Sequence, residues 1–344
     1  MAASGSYGGS GRSRSPRDSQ RKAILTLSPP SRPPPSSMTR FGDFAPLCHH
    51  TPSYPWCNLF YRFLLDNSPD TLQDQGNNDP VGVNPECGIP RVGTDGSISN
   101  IAEIVVCALS MVFVGLLIFL TNRRKAAVGR VELRFLFFVY FLTLPFSILT
   151  QGSLLEQGTT ALVVLTAIHA GLVAALFAAL LANAIVATQV VEDGTMASIM
   201  PFSILTLAFF VATLYISLDV ALGFSNALKP SDPAASLHSI PLFIFTTIWP
   251  GACALIFFAL MAYIVLAVLN ETRPMWFYVL AAVLFVLSQL AWFLLGRVIC
   301  SGSNSKVDGS FIATLLETAC IGVLYLAWRS ITEESWDDGT YYPS

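Results

Sequence analysis

The chain has 344 residues, of which 53% are hydrophobic and only 12% are charged, and its formal net charge is −3. About a quarter of the residues in a typical soluble domain are charged, so this composition excludes an ordinary soluble protein. The charge balance also lacks the basic excess of a nucleic-acid-binding protein, and we expect no nucleic-acid partner. A single helical membrane domain accounts for both features.

The first part of the chain changes character at Met38. Residues 1–37 are rich in Ser, Gly, Pro and Arg and contain one acidic residue, Asp18. This composition cannot build a hydrophobic core, so it predicts a disordered basic extension. A basic segment is also poorly translocated across a membrane. We therefore expect Met38 to be the usual start of the protein, and residues 38–98 to form a cysteine-bearing lumenal head.

Seven apolar stretches follow the head. A hydrocarbon core of about 30 Å takes roughly 20 helical residues to cross, and lipid offers the backbone no hydrogen-bond partner, so each stretch must be a helix. The windows are 99–121, 131–150, 159–189, 198–222, 239–269, 275–299 and 309–329. They predict an all-α membrane protein, a seven-transmembrane helical bundle over residues 99–331, followed by an acidic tail, 332–344.

Basic residues beside the first membrane window predict the orientation. Arg123, Arg124, Lys125 and Arg130 lie in or next to the loop after that window. Such residues prefer the cytosolic side of a membrane. The N-terminus is therefore expected in the lumen and, after seven crossings, the C-terminus in the cytosol. Asn270, in the sequon Asn-Glu-Thr, should then face the cytosol and remain unglycosylated.

Four of the seven cysteines fall on the predicted lumenal side: Cys48, Cys57 and Cys87 in the head, and Cys300 after the sixth window. An oxidising compartment favours disulfides, and four cysteines allow three pairings. We favour Cys48–Cys57 together with Cys87–Cys300, with unpaired thiols as the alternative. No zinc-ligand spacing is present, so we expect no metal and no cofactor.

Short motifs occur in order along the chain. They are 38–48 (MTRFGDFAPLC), 55–57 (PWC), 81–87 (VGVNPEC), 127–130 (AVGR), 192–195 (EDGT), 289–300 and 308–309 (DG). In order and spacing they resemble the fungal chitin synthase export chaperones, over about residues 38–338. Members of that family start where Met38 stands here.

The resemblance implies a multi-pass protein of the endoplasmic reticulum membrane that is not an enzyme. It would be a membrane-embedded chaperone, needed for a chitin synthase to fold and leave the reticulum, and hence for chitin synthesis in the fungal cell wall. The implied partners are the chitin synthase, membrane lipid and a vesicle coat. The alternatives are a seven-helix receptor and a small-molecule transporter or intramembrane enzyme. The third window lacks the acidic–Arg–aromatic triplet common in receptors, and the seventh lacks Asn-Pro-x-x-Tyr.

Three charged residues, Asp219, Arg297 and Glu317, fall in the lumenal half of the predicted membrane domain. Ionisable groups at membrane depth are costly unless they are paired. We expect an internal ion pair or network that fixes the fold. The alternative is a polar face offered to the helices of a client protein.

The third window contains small residues at the spacing of one helix face: Ala170, Gly171, Ala174, Ala178 and Ala182. Small residues four apart allow helices to approach closely. We expect this helix to be the central packed helix of the bundle, with a docking seam for a client as the alternative.

Acidic residues occur at two predicted cytosolic positions. Glu192 and Asp193 lie in the turn after the third window, and Glu333, Glu334, Asp337 and Asp338 lie in the tail. Acidic runs are commonly just solvated. The alternative is a contact for a vesicle coat or for the client's cytosolic domain.

Overall fold

The computed structural model describes residues 40–72, 80–92, 98–124, 129–225, 228 and 233–337, with side chains described as far as Thr332. All of these residues belong to one unit, residues 40–344. The predicted extension, residues 1–37, and the predicted start at Met38 lie outside the described residues.

The described part of the chain is helical. Its helices are α1 Ala45–His50, α2 Cys57–Asn67, α3 Ile101–Arg123, α4 Arg130–Gln151, α5 Thr160–Ala187, α6 Met196–Leu222, α7 Ile240–Val268, α8 Arg273–Phe293, α9 Gly296–Gly302 and α10 Gly309–Asp337. Helix α7 contains two π-helical turns, Ile244–Ile248 and Ile264–Val268. Two isolated β-bridges are the only strand-like pairings among the described residues.

Among the described residues, seven helices are long and apolar enough to cross a membrane: α3 to α8, and α10 as far as Thr332. This finding confirms the predicted all-α, seven-helix fold. The sixth window was predicted too long, because α8 ends at Phe293 and the chain turns before α9 begins at Gly296. Cys300 and Arg297 therefore lie in a separate short helix rather than in the sixth membrane helix.

Helix α5 is the most buried of the seven membrane helices and contacts α4, α6 and α7. On the other side of the bundle, α10 packs along α8 and α3, and α3 packs against α4. The small side chains of α5 explain its place, because they leave room for three neighbours at close range. At Gly171, for example, an added Cβ would lie 3.0 Å from the carbonyl oxygen of Phe210 in α6.

The head packs onto one end of the bundle. Helix α2 contacts α5 and α6, and the buried head residues Phe44 and Phe60 join the same apolar cluster as Val163 of α5 and Val220 of α6. The backbone N–H of Phe44 donates to the carbonyl of Leu237, at 2.9 Å, just before α7. The head is therefore a part of the folded unit and not a separately tethered segment.

Gly42 stands where the head meets the start of α7. It has a φ of +88°, and a Cβ at this position would lie 3.0 Å from the Cα of Ile240. Its carbonyl accepts the backbone N–H of Ser239 at 2.9 Å. A left-handed backbone and a close approach both require glycine here, which gives a physical role to one residue of the 38–48 motif.

Candidate functional site

Two disulfides stabilise the head, and one of them joins it to the end of the bundle. Cys48 is bonded to Cys57, which ties α1 to the start of α2. Cys87 is bonded to Cys300, which ties the head to α9 across 213 residues of sequence. This is the favoured one of the three possible pairings. The second bond makes the described segment 80–92 a strap over α9.

Aromatic side chains of the head insert into the end of the bundle. Tyr54 is 3% exposed, and its ring lies 5.8 Å from the ring of Phe293 at the end of α8. The Trp56 ring lies 5.1 Å from that of His169 in α5. Burial raises the pKa of the Tyr54 phenol, so this side chain stays neutral. Tyr54 and Trp56 thus place aromatic side chains against α8 and α5, respectively.

An ion pair closes the strap. Arg297 of α9 donates from Nη1 to the Oε2 of Glu86, and Oε1 of the same carboxylate lies 3.2 Å from Nδ1 of His50. The Arg297 and Glu86 side chains are 53% and 46% exposed, so solvent weakens the pair. Its main effect is to fix the direction of both groups beside the Cys87–Cys300 bond.

The structure does not bring Asp219, Arg297 and Glu317 together, and the predicted network among them is wrong. Arg297 lies beyond the end of α8 and finds Glu86 in the head. Asp219 instead accepts the backbone N–H of Ser225 at 2.5 Å, at the C-terminal end of α6. Glu317 accepts from the amide of Gln289 in α8, at 3.2 Å. The sequence alone could not show that the partner of Arg297 comes from the head.

Hydrogen-bonded polar side chains line the contact between α3 and α10 instead, and we call this contact the α3–α10 seam. Glu103 is fully buried, and its Oε1 accepts from the hydroxyl of Thr314 at 2.8 Å. One turn after Thr314 on α10, the hydroxyl of Thr318 bonds that of Ser110 in α3 at 2.8 Å and that of Tyr140 in α4 at 2.9 Å. Neutral Ser and Thr residues are common in membrane helices, so their sequence spacing gave little signal.

The head-side end of this seam is a buried carboxylate. Asp308 is fully buried, accepts the backbone N–H of Ser310 at 3.1 Å, and receives the amide of Asn100 at 3.3 Å. Burial raises the pKa of Asp308. No metal is needed to explain the position, and within the described ranges no group of three His, Cys, Asp or Glu side chains could hold one. The seam fixes α10 against α3.

The small-residue face of α5 is used inside the chain. Ala170, Ala174 and Ala178 are fully buried, and Ala182 is 5% exposed. The carbonyl of Ala174 also accepts the indole N–H of Trp249 in α7, at 3.2 Å. The face is already covered by neighbouring helices, which leaves no free surface there for a client.

At the other end of the bundle, Gly129 of the 127–130 motif meets Asp193 of the 192–195 motif. Asp193 accepts the backbone N–H of Gly129 at 2.8 Å. The buried carboxylate of Glu132 accepts the backbone N–H of Gly194 at 2.8 Å and the hydroxyl of Ser198 at 2.7 Å. The turn is therefore fastened to the start of α4, a role that sequence analysis did not assign to Glu132.

The predicted cytosolic contact residues differ in exposure. Glu192 is exposed, whereas Asp193 is half-buried and bonded to the chain itself. Of this set, Glu192 is the residue whose side chain is described and lies at the surface. The side chains of Glu333, Glu334 and Asp337, and all of Asp338, lie outside the described residues.

A family model and several relatives with the same description are similar to this chain. The family model described as "Chitin synthase export chaperone" matches residues 40–340. The chitin synthase export chaperone of Coccidioides immitis (strain RS) is 24% identical over 299 residues, which cover 86% of this chain and 83% of the relative. That of Phaeosphaeria nodorum is 26% identical over 295 residues, 86% of this chain and 83% of the relative. That of Cryptococcus neoformans var. neoformans serotype D is 26% identical over 259 residues, 74% and 70% of the two chains. No solved structure gives a significant match.

Proposed function

Because this chain belongs to the chitin synthase export chaperone family, we propose that it is a membrane-embedded chaperone that helps a chitin synthase to fold and to leave the endoplasmic reticulum. The observation that carries the proposal is the family match, which spans both the head and all seven membrane helices. It favours this function over a receptor or a transporter. The protein then acts by binding a client and not as an enzyme.

The structure supports a binding role in one further respect. Several of its charged and polar membrane residues are engaged within the chain, as the α3–α10 seam and the Glu132 cluster show. The outward faces of α6, α7 and α8 are apolar and largely uncovered by other parts of the chain. A client's membrane helices would therefore meet apolar helix faces, not a polar channel or a catalytic pocket.

Deleting the gene and imaging tagged chitin synthases tests the function. We expect at least one chitin synthase to stay in the reticulum and to aggregate there, with a fall in cell-wall chitin. A wild-type copy supplied on a plasmid should restore delivery, and a tagged membrane protein that is not a chitin synthase should be delivered normally throughout. Unchanged delivery of every chitin synthase in the deletion strain would contradict the proposal.

For the orientation, we propose a lumenal head and a cytosolic C-terminus. Arg123 and Arg124 at the end of α3 favour this side for the first loop, and the two disulfides at the head end need an oxidising compartment. The exposed sequon residue Asn270 then lies in the cytosol and carries no glycan. A second sequon, placed in the head, should be glycosylated. Glycosylation of Asn270 itself would reverse the proposed orientation.

We also propose that the acidic residues at the cytosolic end contact a vesicle coat. Glu192 is exposed, and α10 continues into the acidic tail as far as Asp337. Glu192→Lys and deletion of residues 333–344 should slow the client's exit without changing the melting temperature. Asp193→Asn, which weakens the bond to Gly129, is the matched variant in which melting temperature should fall instead. Normal exit of the client with both Glu192→Lys and the truncation would contradict the proposed coat contact.

A further inference from the structure

A groove opens on the outside of the bundle where α8 ends and α9 begins. Its volume is about 350 Å³, and it is lined by His50, Phe293, Leu294, Arg297 and Val298. Leu294 and Val298 are 68% and 64% exposed, so the apolar part of the lining is not covered by the chain. Since α8 is long and apolar enough to span a membrane and ends at Phe293, we expect the groove at the level where the hydrocarbon core gives way to lipid head groups.

Arg297 lines this groove, and its ion-pair partner Glu86 lies directly beside it. Arg297 uses Nη1 to bond Glu86, and its guanidinium has five N–H donors, so further donors remain for a second acceptor. The Glu86 carboxylate accepts from Arg297 at one oxygen and faces Nδ1 of His50 at the other, and each oxygen keeps a second lone pair. In the neutral tautomer in which Nδ1 of His50 donates to Glu86, Nε2 carries a lone pair and can accept a hydrogen bond. The site offers donors at Arg297 and acceptors at Glu86 and His50.

We propose that this groove binds a phospholipid whose head group carries a primary ammonium, of the phosphatidylethanolamine class. The phosphate accepts from Arg297, and the ammonium donates to Glu86 and to Nε2 of His50. One acyl chain lies along Leu294 and Val298. Because charge-assisted hydrogen bonds need both partners, this arrangement distinguishes three kinds of lipid head group.

The discrimination follows from what each competing lipid lacks. A quaternary choline head group has the same phosphate but no N–H to donate to the carboxylate. An anionic glycerol head group brings no positive charge, so Arg297 is the one cation shared by its phosphate and the Glu86 carboxylate. Diacylglycerol has no phosphate for Arg297. Only the primary ammonium head group satisfies both charges of the site.

The site is held in place by bonds that do not involve the side chains to be changed. The Cys87–Cys300 disulfide joins the two segments that carry Glu86 and Arg297. The backbone N–H of Glu86 donates to the carbonyl of His49 at 2.9 Å. Neutral replacements at Glu86 and Arg297 should therefore leave the strap attached, and their effects on lipid binding can be measured on a folded protein.

The test is native mass spectrometry of the full chain in detergent, with dioleoyl phosphatidylethanolamine, phosphatidylcholine, phosphatidylglycerol and diacylglycerol added in turn. Each charge-assisted bond should contribute about tenfold in affinity. We expect the ethanolamine lipid to bind about tenfold more tightly than either other phospholipid, and diacylglycerol to bind least. Equal retention of the three phospholipids, or tightest binding of the glycerol lipid, would overturn the proposal.

Two variants separate the contributions of the two charges. Arg297→Gln should weaken all three phospholipids by about tenfold, because the phosphate loses its main donor. Glu86→Gln should remove the preference for the ethanolamine lipid and leave phosphatidylglycerol unchanged or tighter. Lys306→Gln is the matched control, since Lys306 is an exposed cation at the same end of the bundle and does not line the groove. If Lys306→Gln weakens binding as much as Arg297→Gln, the binding reflects general surface charge and the site is wrong.

Discussion

Replacing both Cys87 and Cys300 by serine is expected to lower the free energy of unfolding by about 5 kcal/mol. The bond closes a loop between residues 213 apart in sequence, and the entropy that a cross-link removes from the unfolded chain grows with loop length. Replacing Cys48 and Cys57, which are 9 residues apart, should lower it by only about 3 kcal/mol. Thermal unfolding in one detergent, with the wild type alongside, measures both differences.

The double replacement is the informative variant, because a single serine would leave one thiol free to mispair. A gel-shift assay with a thiol-reactive tag, run before and after reduction, first establishes that the wild type holds both bonds. Loss of the longer bond should also free the strap, so protease cleavage within residues 80–92 should become faster. If the Cys87/Cys300 variant unfolds no more easily than the Cys48/Cys57 variant, the longer bond is not the one that stabilises the attachment of the head to the bundle.

The seven membrane helices could be predicted from the sequence because each depends on a local property. An apolar run of about 20 residues has to be helical in lipid, whatever its neighbours are. The small residues from Ala170 to Ala182 likewise indicated a central helix, since they act through their own size. Features of this kind need no knowledge of which segments meet.

Side-chain partners could not be predicted in the same way. Arg297 was expected to meet Asp219 or Glu317, because all three fall in one half of the membrane domain. The chain instead ends α8 at Phe293, which moves Arg297 out of the membrane helix and next to Glu86. That change depends on a tight crossing of three backbones, which hydropathy does not describe.

The same limitation applies to the neutral polar contacts. Glu103 stands out in the sequence as a charge in an apolar window, but its partner Thr314 does not, because threonine is an ordinary residue of membrane helices. Glu132 was overlooked for a related reason. It lies at the start of α4, where an acidic residue suits the helix dipole, and only its contacts with Gly194 and Ser198 show that it fastens a turn.

The tight crossing itself rests on Gly309, the first residue of α10. A Cβ at this position would lie 2.3 Å from the carbonyl oxygen of Ala291 in α8 and 2.8 Å from the Cα of Gly296. Both contacts are with backbone, so no side-chain rotation can relieve them. Gly309→Ala is therefore expected to lower the free energy of unfolding by about 3 kcal/mol, as overpacking of a closed site does. Thermal unfolding and the yield of monodisperse protein measure the loss.

Two other glycines provide control variants for Gly309→Ala, because neither lies at the crossing of α8, α9 and α10. A Cβ at Gly302, in the last position of α9, or at Gly251, within α7, would meet nothing within 4 Å. Gly302→Ala and Gly251→Ala should therefore leave stability unchanged or raise it by up to about 1 kcal/mol, since alanine is the better helix former. The crossing also places Arg297 beside the strap, so Gly309→Ala should reduce binding of the ethanolamine lipid as well, whereas the two control variants should not. Equal stability of all three alanine variants would show that α8, α9 and α10 do not meet at Gly309 as closely as described.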